Sequence, residues 1–84
     1  MARAVRFGVT LPQIKRTWPE AREAAVEFDR LGYDSLWVGD HLSFAHPYLD
    51  PFIQLAQAAV VSDRLLLGVG VYLLPLRHPG PVAK

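Results

Sequence analysis

An aspartate and a histidine stand side by side in this sequence, directly after a short apolar run. Asp40 and His41 follow Ser35–Gly39, a segment that contains leucine, tryptophan and valine. A histidine titrates near neutral pH and can transfer a proton, and a neighbouring carboxylate can hold the ring or bind a cofactor. The same pair could instead be structural, with Asp40 capping a loop and His41 filling the mouth of a strand. The residues alone leave both interpretations open.

Two further histidines raise the alternative of a metal site. His46 and His78 each precede a proline, where an exposed structural role is the ordinary expectation. His41, His46 and Asp50 could supply three ligands, but the chain has no His-Glu-x-x-His motif and a single loop must bring all three together. We therefore predict no metal site.

Two glycines resemble the beginning of a phosphate-binding loop. Gly68 and Gly70 are separated by one residue, but Leu73 occupies the third glycine position of the dinucleotide fingerprint. The pair also lies inside an apolar run rather than after it. Glycine inside a strand more often marks a bulge or a close approach of a ligand to the backbone.

Apolar segments and capped amphipathic segments alternate along the chain. Thr17 precedes Glu20 by three residues, which is the spacing of a capping box, and Gly32 stands where a helix of about 14 residues would end. Asp50-Pro51 predicts the start of a second helix. The predicted elements are a strand at Val5–Leu11, a helix from Thr17 to Gly32, a strand at Ser35–Gly39, a helix from Asp50 to Ser62, a strand at Leu65–Leu74 and the opening of a third helix after Pro79.

This alternation predicts an α/β fold with a parallel sheet in the order β-α-β-α-β. Leu65–Leu74 has no polar face, as expected of a strand that is covered on both sides. Two architectures fit: an open doubly wound sheet, or the first third of a (β/α)8 barrel. Both place binding and catalytic residues at the carboxyl ends of the strands. This rule selects Pro12-Gln13, Asp40-His41 and the Gly68–Pro75 region.

Length and composition exclude several classes of function. Residues 1–84 make one small domain or part of a larger one. Nine basic and eight acidic residues give a net charge of +1, so we expect no nucleic-acid partner, and the absence of cysteine excludes disulfides and thiolate chemistry. The two longest uncharged runs have 12 residues each, whereas a membrane span needs about 20. With no secretory signal at the start, we expect a cytoplasmic protein without a membrane partner.

Six segments of the chain together match the pattern of a known family. They are Phe7–Pro12, Gly32–His41, Tyr48–Pro51, Leu67–Val71, Leu74–Pro79 and Ala83-Lys84. In this order they resemble the bacterial-luciferase-like oxidoreductases, and Gly32–His41 is most similar to the branch that uses the deazaflavin coenzyme F420. The resemblance covers nearly the whole chain.

The resemblance implies a TIM-like barrel with a flavin or deazaflavin at the carboxyl-end face. It places the proton-transferring histidine at His41 and a cofactor-contacting aspartate at Asp40. It also implies a cis peptide bond between Gly70 and Val71 that backs the ring of the cofactor. Two positions depart from the family pattern: Val69 replaces the usual threonine between the glycines, and Gly80-Pro81 replaces an aliphatic pair.

A complete (β/α)8 barrel needs about 250 residues, so this chain corresponds to an incomplete, amino-terminal segment with three strands and two helices. The function that the resemblance implies is hydride transfer between coenzyme F420 and a small organic substrate, with a homo-oligomeric full-length enzyme. A monooxygenase that uses reduced FMN and oxygen is the first alternative. An inactive fragment that performs no catalysis is the second.

Overall fold

A computed structural model describes residues 4–11, 17–45 and 48–84. Its elements are β1 (Gly8–Thr10), α1 (Trp18–Arg30), β2 (Ser35–Val38), α2 (Pro51–Val61), β3 (Leu66–Val69), a 3₁₀ turn (Leu74–Leu76) and α3 (Pro79–Ala83). The predicted order of strands and helices is therefore confirmed. Within the described ranges, no helix has the length and apolar character needed to cross a membrane.

Local interactions determine where the two long helices begin and where α1 ends. At the start of α1, Thr17 Oγ1 accepts a hydrogen bond from Glu20 N at 3.4 Å, and Glu20 Oε2 accepts one from Thr17 N at 3.1 Å. This is the predicted capping box. Gly32 follows α1 with a φ of 89°, a left-handed conformation that glycine adopts without steric cost. At α2, Asp50 Oδ1 accepts from Ile53 N at 3.1 Å, as an N-cap residue does.

The three strands form one parallel sheet in the order β1-β2-β3. Thr10, Trp37 and Gly68 lie side by side across it. Each pair of neighbouring strands is joined through a helix, and α1 and α2 pack against each other. An α/β unit of this kind is consistent with the first part of a (β/α)8 barrel.

The core lies between the sheet and the two helices. Leu36 and Val38 of β2 are fully buried, and they meet the small side chains of Ala21, Ala25 and Ala58 from the helices. Alanine at these positions allows the helix backbones to approach the sheet. Burial of a leucine side chain contributes about 1.5–3 kcal/mol, so this face of β2 stabilises the unit.

The opposite face of the sheet carries a large aromatic side chain over glycines. Because side chains alternate along a strand, Trp37 points away from the helices, and it is 42% exposed. Its indole covers Gly8 of β1 and Gly68 of β3, where a Cβ atom would come within 3.0 Å of the ring. Trp37 Nε1 donates a hydrogen bond to Ser35 Oγ at 2.9 Å, which fixes the ring on this face.

The strands are shorter than the sequence predicts. β1 covers three residues instead of Val5–Leu11, and β3 ends at Val69 instead of Leu74. β2 has only four residues, so β1 and β3 form regular strand hydrogen bonds with it along those four residues only. Gly70 N still donates to Val38 O at 2.8 Å, and the chain then leaves the sheet.

Candidate active site

The two loops that follow β2 and β3 meet at the carboxyl edge of the sheet. The β2 loop carries Asp40 and His41, and the β3 loop runs from Gly70 to His78. The parallel-strand rule predicts this proximity, since neighbouring strands end at the same edge. Pro12 and Gln13, the predicted third contribution to this edge, lie outside the described residues.

Asp40 is a buried carboxylate that is hydrogen-bonded to the β3 loop. Its side chain is 1% exposed. Oδ2 accepts a hydrogen bond from Leu73 N at 2.9 Å, and Arg77 Nη2 lies 2.7 Å from both carboxylate oxygens. This side chain therefore joins the two loops. A direct contact between Asp40 and a bound cofactor remains a prediction.

The charges of this pair stabilise each other. Burial by itself raises the pKa of the Asp40 carboxyl group, but the hydrogen bonds from Arg77 and the Leu73 amide outweigh burial and bring this pKa below its ordinary value. The hydrogen bond to Asp40 raises the pKa of Arg77. Both groups are therefore ionised at neutral pH.

Arg77 also packs against aromatic side chains. Its guanidinium carbon lies 4.9 Å from the centroid of the Tyr72 ring, a cation–π distance, and Tyr72 lies 4.8 Å from the ring of Phe52 in α2. These groups form one side of an open cleft of about 290 Å³. The cleft is lined by Phe52, Tyr72, Arg77, His78, Pro81 and Val82. The β3 loop is thus anchored to both β2 and α2.

His41 lies exposed beside two aromatic rings. Its imidazole centroid is 4.4 Å from the Tyr48 ring in an edge-to-face arrangement and 4.7 Å from the Phe44 ring. Burial raises the pKa of the Tyr48 phenol, and the charge of Asp40 raises it further, so this hydroxyl stays protonated at neutral pH. The hydroxyl fits because Gly39 has no side chain, since a Cβ there would overlap it.

The Gly70–Val71 peptide bond is cis, as the resemblance implies. Val71 is 79% exposed. A Cβ atom on Gly70 would lie 3.7 Å from the Trp37 ring, so this peptide stands at the rim of the open face of the sheet. Both residues are accessible to a ligand from that side.

The other candidate residues of the sequence, His78 and Gly68, have structural positions. His78 is exposed, and its Nδ1 accepts a hydrogen bond from Gly80 N at 3.3 Å, so it caps α3 as a structural residue. His46 lies outside the described residues. The described part of the chain contains no group of three metal-ligating side chains. Gly68 lies within β3 under an indole and not in a loop that could surround a phosphate.

Sequence reasoning missed the contributions of Arg77 and Tyr48. Arg77 lies 37 residues from Asp40 in the sequence, and Tyr48 is likewise not a neighbour of His41 in the sequence. Both stood within segments that carried the family resemblance, but neither had a predicted role. A buried aspartate requires a cationic partner, and this requirement is the signal that would have led to Arg77.

The exposed edge has residue types that suit a flat heteroaromatic ligand. Val71 and Trp37 offer apolar surface, the backbone at Gly70 is unobstructed, and the His41 imidazole can exchange a proton. A flavin or deazaflavin presents an aromatic ring with polar edges, so His41, Gly70 and Val71 are the residues that could hold it. The exposed residue types at this edge are therefore compatible with such a group.

Comparison with known proteins gives the family. A family model described as luciferase-like monooxygenase matches residues 4–84. The chain is 42% identical over 63 residues to 4-hydroxyprotoasukamycin monooxygenase of Streptomyces nodosus subsp. asukaensis, a match that covers 74% of this chain and 17% of that protein. It is 39% identical over 62 residues to limonene 1,2-monooxygenase of Rhodococcus erythropolis, which covers 73% and 16% respectively. No solved structure matches the chain.

The matched region thus spans about a sixth of the length of these curated relatives. The family model, in contrast, covers nearly the whole of the present sequence, including both loops at the carboxyl edge. This chain belongs to the luciferase-like monooxygenase family.

Proposed function

We propose that this chain is the amino-terminal part of a longer oxidoreductase that binds a flavin or deazaflavin at the carboxyl edge of its sheet. The relatives are about six times longer than the matched region, and the described sheet ends in β1 and β3, whose outer edges further strands could extend. In this proposal, activity belongs to the full-length protein, which acts on a small organic substrate as a homo-oligomer.

The names of the two relatives favour oxygen chemistry, since both are monooxygenases. The first candidate is therefore a monooxygenase that uses reduced FMN and oxygen, in which one oxygen atom enters the substrate and the other leaves as water. The second candidate is hydride transfer between coenzyme F420 and the substrate, which the Gly32–His41 pattern favours. When bound, reduced FMN would supply the two electrons that the monooxygenase reaction needs, whereas coenzyme F420 would donate a hydride to the substrate or accept one from it.

The exposed imidazole of His41 is the observation that carries the proposal. Tyr48 and Phe44 limit the orientation of this ring, while its exposed side remains open to a ligand. His41 acts as the general acid or base that moves a proton to or from the substrate. Gly70 and Val71 support one face of the cofactor ring, and Asp40 contributes to the cofactor site from the end of β2.

Substitution of the histidine tests this role in the full-length protein. We expect His41→Ala to lower turnover by about 10²–10⁴-fold, because a general acid–base residue contributes that much, with little change in the dissociation constant of the cofactor. His78→Ala is the matched control: it removes an exposed histidine from the same edge, and turnover should stay at the wild-type level. Equal turnover of wild type and His41→Ala across the pH range would refute the assignment.

Cofactor titration separates the two candidate reactions. Binding of FMN, with oxygen consumed in proportion to product, is expected for the monooxygenase. Tight binding of coenzyme F420, with turnover that does not depend on oxygen, would establish hydride transfer instead. A full-length protein that binds neither cofactor would contradict the proposed function itself.

A further inference from the structure

One side chain holds the two loops of the candidate site together. Arg77 reaches from the end of the β3 loop to the carboxylate of Asp40, at the end of β2, with 2.7 Å to each oxygen. The same carboxylate accepts the Leu73 amide at 2.9 Å. The β3 loop is thereby attached to β2 at two points, one on each side of the 3₁₀ turn.

This attachment depends on charge. The Asp40 side chain is 1% exposed, so water cannot replace a lost partner, and a buried carboxylate without a cation is strongly disfavoured. The guanidinium of Arg77 also lies over the ring of Tyr72, and this contact helps to keep it beside Asp40. Gly70 is still held to β2 by its own amide, which donates to Val38 O, but regular strand pairing ends at Val69, and the loop beyond Gly70 is held to β2 by the ion pair.

We propose that Arg77 is a positioning residue that acts through Asp40 to hold the Gly70–Arg77 loop in the shape that receives the cofactor. In this proposal Arg77 acts without touching the cofactor. The inference rests on the proposed function, because it assigns Gly70 and Val71 to the cofactor site. It adds a residue for which sequence reasoning gave no role.

The chain offers a matched control at the other end of the sheet. Arg64 precedes β3, and its Nη2 lies 2.9 Å from Asp29 Oδ1 while the guanidinium also donates to the Tyr33 carbonyl at 2.6 Å. This arginine likewise joins two segments that are far apart in sequence. It lies at the amino end of the strands, away from Gly70 and Val71.

The test uses the full-length protein with Arg77→Met, Arg77→Lys and Arg64→Met. In Arg77→Met we expect the cofactor dissociation constant to rise at least about tenfold, because hydrogen bonds to charged groups contribute that much to an equilibrium. Arg77→Lys should restore most of the affinity, since lysine keeps the charge. Arg64→Met should leave the affinity at the wild-type level.

Hydrogen exchange gives a readout that needs no cofactor. In the apo protein, Arg77→Met should speed exchange of the Leu73 amide by at least about tenfold, and Arg77→Lys should not. If Arg77→Met alone does not fold, Asp40→Asn and the double variant Arg77→Met/Asp40→Asn, which both lack the buried negative charge, are compared instead. Because Arg77 acts through Asp40, the two should bind the cofactor equally weakly, and a further loss of affinity in the double variant would contradict the inference.

Several results would overturn the inference. Wild-type exchange at Leu73 in Arg77→Met would show that Arg77 does not hold the loop. Faster exchange at Leu73 with an unchanged cofactor affinity would show that the loop does not shape the site. An equal loss of cofactor affinity in Arg64→Met would show that the effect is a global loss of stability. If the wild type binds neither FMN nor coenzyme F420, the proposed function fails and so does the link to the cofactor, whatever the exchange at Leu73 shows.

Discussion

Gly68 lies beneath the Trp37 indole, and the structure predicts what a single added methyl group does there. In Gly68→Ala the new Cβ would stand 2.5, 2.6 and 2.9 Å from three atoms of the ring. Ordinary contact begins at 3.4 Å, so the nearest ring atom must move by about 0.9 Å. The backbone on either side belongs to a paired strand, so the ring has to yield.

The energetic cost follows from two opposing terms. Overpacking destabilises the folded state by about 1–3 kcal/mol. Replacement of glycine by alanine offsets about 0.4–1 kcal/mol of this, because it reduces the conformational entropy of the unfolded chain. We therefore expect Gly68→Ala to lower the free energy of unfolding by about 1–2 kcal/mol in urea titrations. The displaced ring should also lose the hydrogen bond from Trp37 Nε1 to Ser35 Oγ.

Indole N–H resonances of the full-length protein report that loss directly. The signal that disappears in Trp37→Phe identifies the residue, and in Gly68→Ala this signal should shift and exchange faster with solvent. Gly80→Ala is the control, since its Cβ meets its nearest neighbour at an ordinary 3.5 Å, and both its stability and the Trp37 signal should stay near wild type. An unchanged Trp37 signal in Gly68→Ala would refute the placement of the indole over β3.

Two further predictions concern the core and the buried ion pair. Leu36→Ala should lower the free energy of unfolding by about 2–5 kcal/mol, whereas Val60→Ala, which shortens an 85% exposed side chain on α2, should cost much less. Equal costs in urea titrations would contradict the burial of Leu36 in the core. Folding lowers the pKa of Asp40, so the ion pair with Arg77 stabilises the folded state fully only above the unfolded-state pKa of about 4. This stabilisation is lost as pH falls through the lowered pKa of the folded state. Asp40→Asn should remove that part of the acid dependence in melts below pH 5, and an unchanged pH dependence would show that Asp40 does not titrate as described.

The helices of this chain were predictable from sequence because their ends depend on neighbours. Thr17 and Glu20 are three residues apart, and the capping box that they form needs no information from the rest of the fold. Gly32 likewise ends α1 through its own backbone conformation. The alternation of strands and helices then determined the parallel sheet, and the sheet placed Asp40 and His41 at its carboxyl edge.

The length of the strands was not predictable in the same way. The apolar run Leu65–Leu74 reads as one strand, yet β3 ends at Val69, because a strand continues only while a partner pairs with it and β2 ends at Val38. The orientation of Trp37 over Gly8 and Gly68 also required the pairing of three strands, since these residues are far apart in sequence.

What the sequence by itself determined is thus the set of elements, their order and the edge at which polar residues collect. Only the tertiary structure decided that Asp40 is a buried partner of Arg77 and that His41 lies against Tyr48. The physical reason is the range of the interactions. Caps and turns form between residues within a few positions of one another, whereas the 37-residue separation of Asp40 and Arg77 is closed only when β2 and β3 pair and their loops are brought to the same edge.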